Sequence, residues 1–178
     1  MSKKYYLTIK LTNGKDINLM CDTAVAPKSV EQFISLVKSN YYNGTIFHRV
    51  IENFMIQTGG YKIENDALKE MDKVDSIVGE FASNGFDNKL KHQLGVISMA
   101  RTMDKNSATS QFFICSATCP WLDGEYAAFG QTVDQQSNDA VLEISKVQTC
   151  APHPAFADFP VKPIGIETIV ITKEEENA

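Results

Sequence analysis

Phe47-His48-Arg49-Val50-Ile51-Glu52-Asn53-Phe54-Met55-Ile56-Gln57-Thr58-Gly59-Gly60 carries the reading of the fold. Phe47 to Val50 and Met55 to Thr58 are rich in β-branched, aromatic and other apolar residues, the composition of strands, and Glu52-Asn53 marks a turn or bulge between them. Side chains alternate across a strand, so Met55 and Gln57 share one face while Ile56 and Thr58 share the other. One face is purely for packing, and the other is mixed, apolar with a fixed polar group, as a binding groove requires. Arg49 stands inside this apolar and aromatic stretch. A guanidinium is permanently charged and almost never buried without a partner. It is therefore either half of a structural ion pair or a donor aimed at a ligand, and the stretch alone leaves both open. Strand parity points His48 away from the face of Arg49, which makes it a hydrogen-bonded structural histidine rather than an acid–base partner. Gly59-Gly60 is a tight turn, since no Gly-x-Gly-x-x-Gly or Walker pattern accompanies it.

Outward from this stretch the pattern stays that of strands. Tyr6 to Leu11 and Asp16 to Met20 form a hairpin across Thr12-Asn13-Gly14-Lys15, where Asn-Gly supplies the turn. Pro27 suits a first helical position, and Val30, Phe33, Ile34 and Val37 make one buried stripe of a helix that ends at Asn40 to Gly44. Ile63 to Gly79 is charged and interrupted, a surface excursion. Gly95 to Ala100, Gln111 to Cys115 and Ala127 to Val133 read as strands. Gln111 and Phe113 share one face there, with Phe112 and Ile114 on the other. Ser137 reads as the N-cap of a second helix with Asp139 in its first turn, and Ala140, Val141, Ile144 and Val147 form its stripe. Ala151 to Pro163 holds four prolines and reads as a loop. Ile164 to Ile171 is the last strand, and residues 173–178 a solvated, frayed tail. Seven or eight strands joined as hairpins, with two helices, describe one mainly β domain over 1–178. Its sheet is antiparallel, closed or nearly closed, with helices at its ends.

The chain has 178 residues, 43% of them hydrophobic and 22% charged, an ordinary globular composition. Its formal charge of −5, with scattered basic residues, argues against a nucleic-acid surface. No apolar run is of signal-peptide or membrane-span length, so no membrane partner is expected and the protein is placed in the cytoplasm. Cys21, Cys115, Cys119 and Cys150 form no Cys-x-x-Cys, and His48, His92 and His153 have no zinc spacing. The thiols read as buried and free, His92 as a surface residue, and no metal or cofactor is expected. No Gly-x-Ser-x-Gly signals a hydrolase.

Two further segments decide what Arg49 is for: Ser98-Met99-Ala100-Arg101 through Ser110-Gln111-Phe112-Phe113-Ile114, and Trp121-Leu122-Asp123-Gly124. With Phe47 to Gly60 they resemble the cyclophilin family of peptidyl-prolyl cis-trans isomerases, in an order hard to obtain by chance and over most of the chain. The resemblance implies a closed eight-stranded antiparallel β-barrel capped by two α-helices, a monomer, and proline-containing polypeptides as substrates. By it, Arg49 matches the catalytic arginine. Phe54, Met55, Phe113 and Leu122 match the pocket for the substrate proline ring, and Gln57 matches a donor to the substrate backbone. Ala100 and Arg101 match the segment that pairs with the residue before proline. Gln111 and Trp121 match groove-lining positions. Phe112 stays in the core.

The chemistry explains these residue types. An Xaa-Pro bond turns over a barrier of about 18–20 kcal/mol set by amide resonance. Rotation needs no nucleophile, metal or redox group. It needs the prolyl side gripped and the twisted state bound more tightly than either planar one. A guanidinium donates to the prolyl nitrogen as its lone pair localises.

The chain departs from the best-known eukaryotic members in two places. Tyr126 stands where they carry histidine, keeping a flat ring with a polar tip, and Arg101 stands where they carry asparagine. Both choices resemble the bacterial branch. Trp121 is retained, and in the family a tryptophan here accompanies binding of the cyclic peptide cyclosporin, so cyclosporin binding is expected. The competing function is a proline-peptide binding module with little turnover, which would have no need to keep the arginine.

Overall fold

The computed structural model describes residues 2–177. Eight strands form one sheet: β1 (Lys3–Leu11), β2 (Asp16–Asp22), β3 (Arg49–Ile51), β4 (Met55–Thr58), β7 (Val96–Met99), β8 (Phe112–Cys115), β9 (Ala128–Thr132) and β12 (Ile166–Glu176). Their order is β12-β1-β2-β9-β7-β8-β4-β3, and every pairing is antiparallel. The expected β1–β2 hairpin forms, with Gly14 at φ +82° in its turn, where a Cβ would be strained. The ends of the order meet just outside the ladders. Ile46 bridges Gly165, Phe47 N–H donates to Ile164 C=O at 3.0 Å, and Ile166 N–H donates to Thr45 C=O at 2.8 Å.

Period-two alternation builds the core. Leu7, Ile9 and Leu11 on β1 and Ile17, Leu19 and Cys21 on β2 turn inward to one cluster. Helix α1 (Pro27–Lys38) lays Val30, Phe33, Ile34 and Val37 on it, and helix α2 (Gln135–Ser145) lays Ala140, Val141 and Ile144. Phe33 anchors the packing, its ring 5.2 Å from both Phe112 and Phe129. No neighbouring side chain in sequence caps α1. The buried Glu80 carboxylate does so from afar, accepting Ser29 N–H at 2.7 Å and Lys28 N–H at 3.1 Å, a negative charge at the positive end of the helix.

Three expectations need correction: the cap of α2, the tail and Cys150. The N-cap of α2 is Asp134, which accepts Ser137 N–H at 2.8 Å; Ser137 is buried in the first turn, and its hydroxyl instead accepts Asn18 N–H from β2 at 2.7 Å. Of the region 173–178, Lys173 to Glu176 are not frayed. They pair with Tyr6 back to Lys3, so that Glu175 and Glu176 oppose Lys4 and Lys3, a favourable cross-strand arrangement. Ala178 lies outside the described residues. Two other readings hold with added detail: the excursion after Gly60 is mostly exposed and contains a ribbon of β5 (Tyr61–Glu64) and β6 (Ala67–Glu70), and the proline-rich loop is pinned by β10 (Thr149–Cys150) against β11 (Phe159–Pro160). Cys21, Cys115 and Cys119 are buried and free, but Cys150 is exposed. Among the described residues no helix is long and apolar enough to cross a membrane.

Candidate active site

Register across β3, β4, β8 and β7 generates the site. Val50, Ile56, Ile114 and Ile97 face one another in a row across these four strands, and all are buried in the main core. The neighbouring row, on the opposite face, is Arg49, Gln57, Phe113 and Ser98. Met55 and Cys115 form the next row of that face and join Phe113, Cys119 and Leu122 in a second, smaller apolar cluster, with Phe54, Ala100 and Tyr126 packed at its margin. The parity read from the sequence is met: Met55, Gln57 and Phe113 face the groove, while Ile56, Phe112 and Ile114 face the core.

Over this face opens a cavity of about 390 Å³, within the range of small-ligand pockets, about 300–1,000 Å³. Met55, Phe113 and Leu122 give its apolar floor, and Phe54, Ala100, Gln111 and Tyr126 line it as well. Arg49 reaches it as an exposed side chain. One guanidinium nitrogen donates to Gln57 Oε1 at 3.4 Å, and the Gln57 amide donates in turn to Gln111 Oε1 at 2.8 Å. Among the described residues no carboxylate forms an ion pair with Arg49. Its donors are oriented and largely unspent, which favours the ligand reading over the structural ion pair.

Arg101 also lines the cavity, but its side chain is committed. Nε and Nη2 donate to Glu125 C=O at 3.1 and 2.7 Å, Nη1 donates to Thr102 C=O at 2.9 Å, and the guanidinium lies over the rings of Tyr126 and Phe81 at 4.6 and 4.9 Å. It holds Tyr126 edge-on to Phe113, their centroids 5.8 Å apart. Trp121 is the one expected site residue outside the cavity lining. It is 60% exposed, its ring 5.8 Å from that of Phe54 at the rim. Trp121 and Leu122 belong to one 3₁₀ turn (Pro120–Leu122), where successive side chains are about 120° apart, so Leu122 pointing in sends Trp121 out.

Two histidines differ from their sequence readings. His48 lines the cavity beside Arg49, because the ladder begins only at Arg49 and strand parity does not extend to it. It is buried without the expected hydrogen bond at Nδ1, and burial, then the charge of Arg49, pushes its pKa down to about 4. His92 is not on the surface. It is 1% exposed, with Nδ1 2.9 Å from Asp123 Oδ1 and Nε2 2.9 Å from Ser98 Oγ. Burial lowers its pKa against the opposing pull of Asp123, so the ring is neutral at pH 7. A carboxylate only accepts, so Nδ1 carries the proton, Nε2 accepts, and Ser98 donates its hydroxyl. Burial raises the Asp123 pKa, but hydrogen bonds from His92 more than offset it and hold the carboxyl below its usual range. The order Asp–His–Ser looks like a hydrolytic triad. The directions of the bonds match a triad as well, but Ser98 is fully buried and His92 is 1% exposed, so no substrate reaches the hydroxyl, and the chain of contacts is a strut beneath Phe113, whose ring stacks on His92 at 6.1 Å. Tyr61 and the loop from Ala155 to Asp158 also line the cavity, a contribution with no local signal in the sequence.

Such a face, a sheet with an apolar pocket beside one unspent guanidinium, can seat an apolar ring and donate to a polar group next to it. The family profile described as cyclophilin type peptidyl-prolyl cis-trans isomerase/CLD matches residues 6–171, and the chain belongs to that family. Peptidyl-prolyl cis-trans isomerase A of Dickeya dadantii is 41% identical over 168 residues, covering 92% of this chain and 83% of the relative. A peptidyl-prolyl cis-trans isomerase of Streptomyces antibioticus is 36% identical over 173 residues, covering 92% of this chain and 98% of the relative. Among solved structures, a cyclophilin-type isomerase of Cryptosporidium parvum crystallised in the presence of the dipeptide Ala-Pro superposes with a TM-score of 0.74 at 27% identity, covering 94% of this chain and 99% of that one.

Proposed function

We propose that Arg49 is the catalytic group with which this cyclophilin-type isomerase turns Xaa-Pro bonds in proline-containing polypeptides, and so assists their folding. The observation that carries this reading is the Arg49–Gln57–Phe113 row. It sets a guanidinium with one long hydrogen bond beside an apolar floor that fits a proline ring. Met55, Phe113 and Leu122 hold the ring, Phe54 closes the rim, and Gln57 and Gln111 steady the peptide backbone. The chain before the proline lies along Ala100 and Arg101. The prolyl side is thus gripped while the other side turns. Arg49 donates to the prolyl nitrogen as its lone pair localises, a contact made only in the twisted state and therefore one that raises the rate. Each tenfold of rate requires about 1.4 kcal/mol of such differential binding, and charge-assisted donation in a partly dry groove is of that strength or more.

The same reading takes the sheet as a barrel, closed by the hydrogen bonds that join residues 44–47 to 164–166. It takes the protein as a cytoplasmic monomer and the groove, with Trp121 at its rim, as a cyclosporin site.

The test is magnetisation-exchange NMR of an Ala-Pro peptide with wild type, Arg49→Ala and Arg49→Lys. The exposed Arg49 supports little structure, so melting temperatures are expected to stay within about 2 °C of wild type, while kcat/KM falls ten-fold or more in Arg49→Ala. Arg49→Lys recovers little, since a point donor lacks the planar fork. Fast exchange unaffected by either substitution overturns the role of Arg49. No acceleration by the folded wild type makes the protein a proline-peptide binding module instead.

A further inference from the structure

The cavity lining falls into two groups. Met55, Phe113 and Leu122 belong to one apolar cluster; His48, Tyr61 and Phe156, the last on the loop from Ala155 to Asp158, pack on one another as a second. A void of about 150 Å³ already accommodates a benzene ring. The cavity of about 390 Å³ therefore has space for a second side chain after a proline ring is seated.

The second group is built, not a gap left by a loose loop. Asp158 C=O accepts Val50 N–H, next to Arg49, at 3.0 Å, and Phe156 N–H donates to His153 C=O at 2.8 Å inside the β10–β11 clip. Phe156 is thereby set edge-on to Tyr61, with centroids 5.1 Å apart and planes at 81°, and edge-on to Phe159 at 5.7 Å. His48 stands edge-on to Tyr61 at 4.8 Å and is 7% exposed. Tyr61 and Phe156 remain only half-buried, so each has ring surface left for a further partner. A second groove, through Thr102, Ser107 and Thr109, joins the cavity at Gln57, Ala100, Arg101 and Gln111 and touches none of the loop residues. A peptide whose pre-proline residues follow Ala100 and Arg101 leaves in the other direction, past Arg49.

We propose, resting on the isomerase reading above, that Phe156, Tyr61 and His48 form a second subsite that takes an aromatic side chain following the proline. Edge-on rings around an open slot favour another ring over an aliphatic chain, because aromatic pairs gain beyond the area they bury. The protein is therefore selective for Xaa-Pro-aromatic sequences, and Phe156 is a specificity-determining residue.

The experiment compares cis-trans exchange by NMR in two peptides, Ala-Pro-Phe and Ala-Pro-Ala within one flanking sequence, for wild type, Phe156→Ala and Phe156→Leu. The quantity read is the ratio of kcat/KM for the Phe peptide to that for the Ala peptide, which a general loss of activity or folded fraction does not move. The wild-type ratio is expected to be about three to ten, carried mainly by KM, to fall to near one in Phe156→Ala, and to be intermediate in Phe156→Leu. A wild-type ratio of one, or a ratio unchanged in both variants, overturns the subsite and leaves the isomerase standing. No acceleration of either peptide by wild type overturns both.

Discussion

Removing the carboxylate of Asp123 tests whether the buried histidine supports the proline pocket. Asp123 Oδ1 accepts two hydrogen bonds from one residue, the His92 backbone N–H at 2.7 Å and the ring Nδ1–H at 2.9 Å. His92 is 1% exposed, so Asp123→Ala leaves two nearly dry donors without a partner. Each costs about 1–3 kcal/mol when left unsatisfied. The Asp123 side chain itself is 21% exposed, so water entering the vacated space recovers part of that loss. The expected net loss is about 2–3 kcal/mol. At about 2–4 °C per kcal/mol for a chain of this size, the melting temperature falls by roughly 5–10 °C.

The functional consequence follows from the stacking of Phe113 on His92. A ring released from Asp123 no longer fixes Ser98 or the tilt of Phe113, and kcat/KM toward an Ala-Pro peptide drops several-fold even at temperatures where the variant is fully folded. Asp123→Asn keeps an Oδ1 that accepts from both donors but loses the charge that strengthens the two bonds, and costs about half as much stability. Calorimetry and exchange NMR on the three proteins decide the matter. A melting temperature within 1 °C of wild type refutes the energetic reasoning. A destabilised Asp123→Ala with unchanged kcat/KM refutes the link from His92 to the pocket.

Three more perturbations are within reach. In Gly60→Ala the new Cβ would come within 2.5 Å of the Gln111 side-chain amide. Gln111 swings away and the Gln57–Gln111 bond is lost; kcat/KM falls several-fold while stability changes by less than about 1 kcal/mol, and an unchanged rate removes Gln111 from the backbone-steadying role. Stability depends on acid in a stated direction. His48 stays neutral in the folded protein down to about pH 4, while an unfolded histidine takes up a proton near pH 6.5. The unfolded chain therefore binds more protons between these values, and stability is lost as pH falls from about 6.5 to 4, by about 2–3 kcal/mol at pH 4.5 from His48 alone. The lowered pKa of His92 adds in the same sense. Urea unfolding at pH 7.5 and 4.5 measures this, and a flat profile, or one that His48→Gln does not flatten, contradicts it. Titration of Trp121 fluorescence with cyclosporin is expected to respond at micromolar drug, because the ring lies at the cavity rim against Phe54; no response there counts against cyclosporin binding.

What the sequence made legible is what a period of two encodes. Met55 and Gln57 against Ile56 and Thr58, and Gln111 and Phe113 against Phe112 and Ile114, could be sorted into groove and core before any pairing was known. What it did not make legible depends on partners far away in the chain. His92 lies among Lys89, Lys91 and Gln93, a surface composition, and is buried only because Asp123 and Ser98 come to meet it. Parity failed for His48 because it applies only within a ladder. At α2 two capping residues lie three apart, and their order is settled by Asn18 of β2, which uses Ser137 as an acceptor and leaves Asp134 to cap. The glutamates after Lys173 read as a solvated run because their partners, Lys3 and Lys4, stand at the other end of the sequence. The prolines correctly marked 151–163 as loop, but composition does not say where a loop lies, and this one brings Ala155 to Asp158 to the cavity wall.

The side chains beside Arg49 matter as much for what they are not. Its row partner is Gln57, and the next polar group along is Gln111, both neutral amides. A carboxylate at position 57 would sit within ion-pairing reach, and a close Arg–carboxylate pair in a partly dry groove is strong enough to hold the guanidinium in the ground state. Catalysis of a bond rotation needs the opposite, a donor held in place yet weakly engaged until the prolyl nitrogen becomes a better acceptor. An amide oxygen at 3.4 Å orients the guanidinium and competes poorly for it. Orientation comes instead from the backbone. Arg49 lies in register with Gln57 on one face of a sheet whose other face is fully packed by Val50, Ile56 and Ile114. The packed row makes the exposed row rigid, and rigidity without a salt bridge leaves the charge free for the role proposed for Arg49.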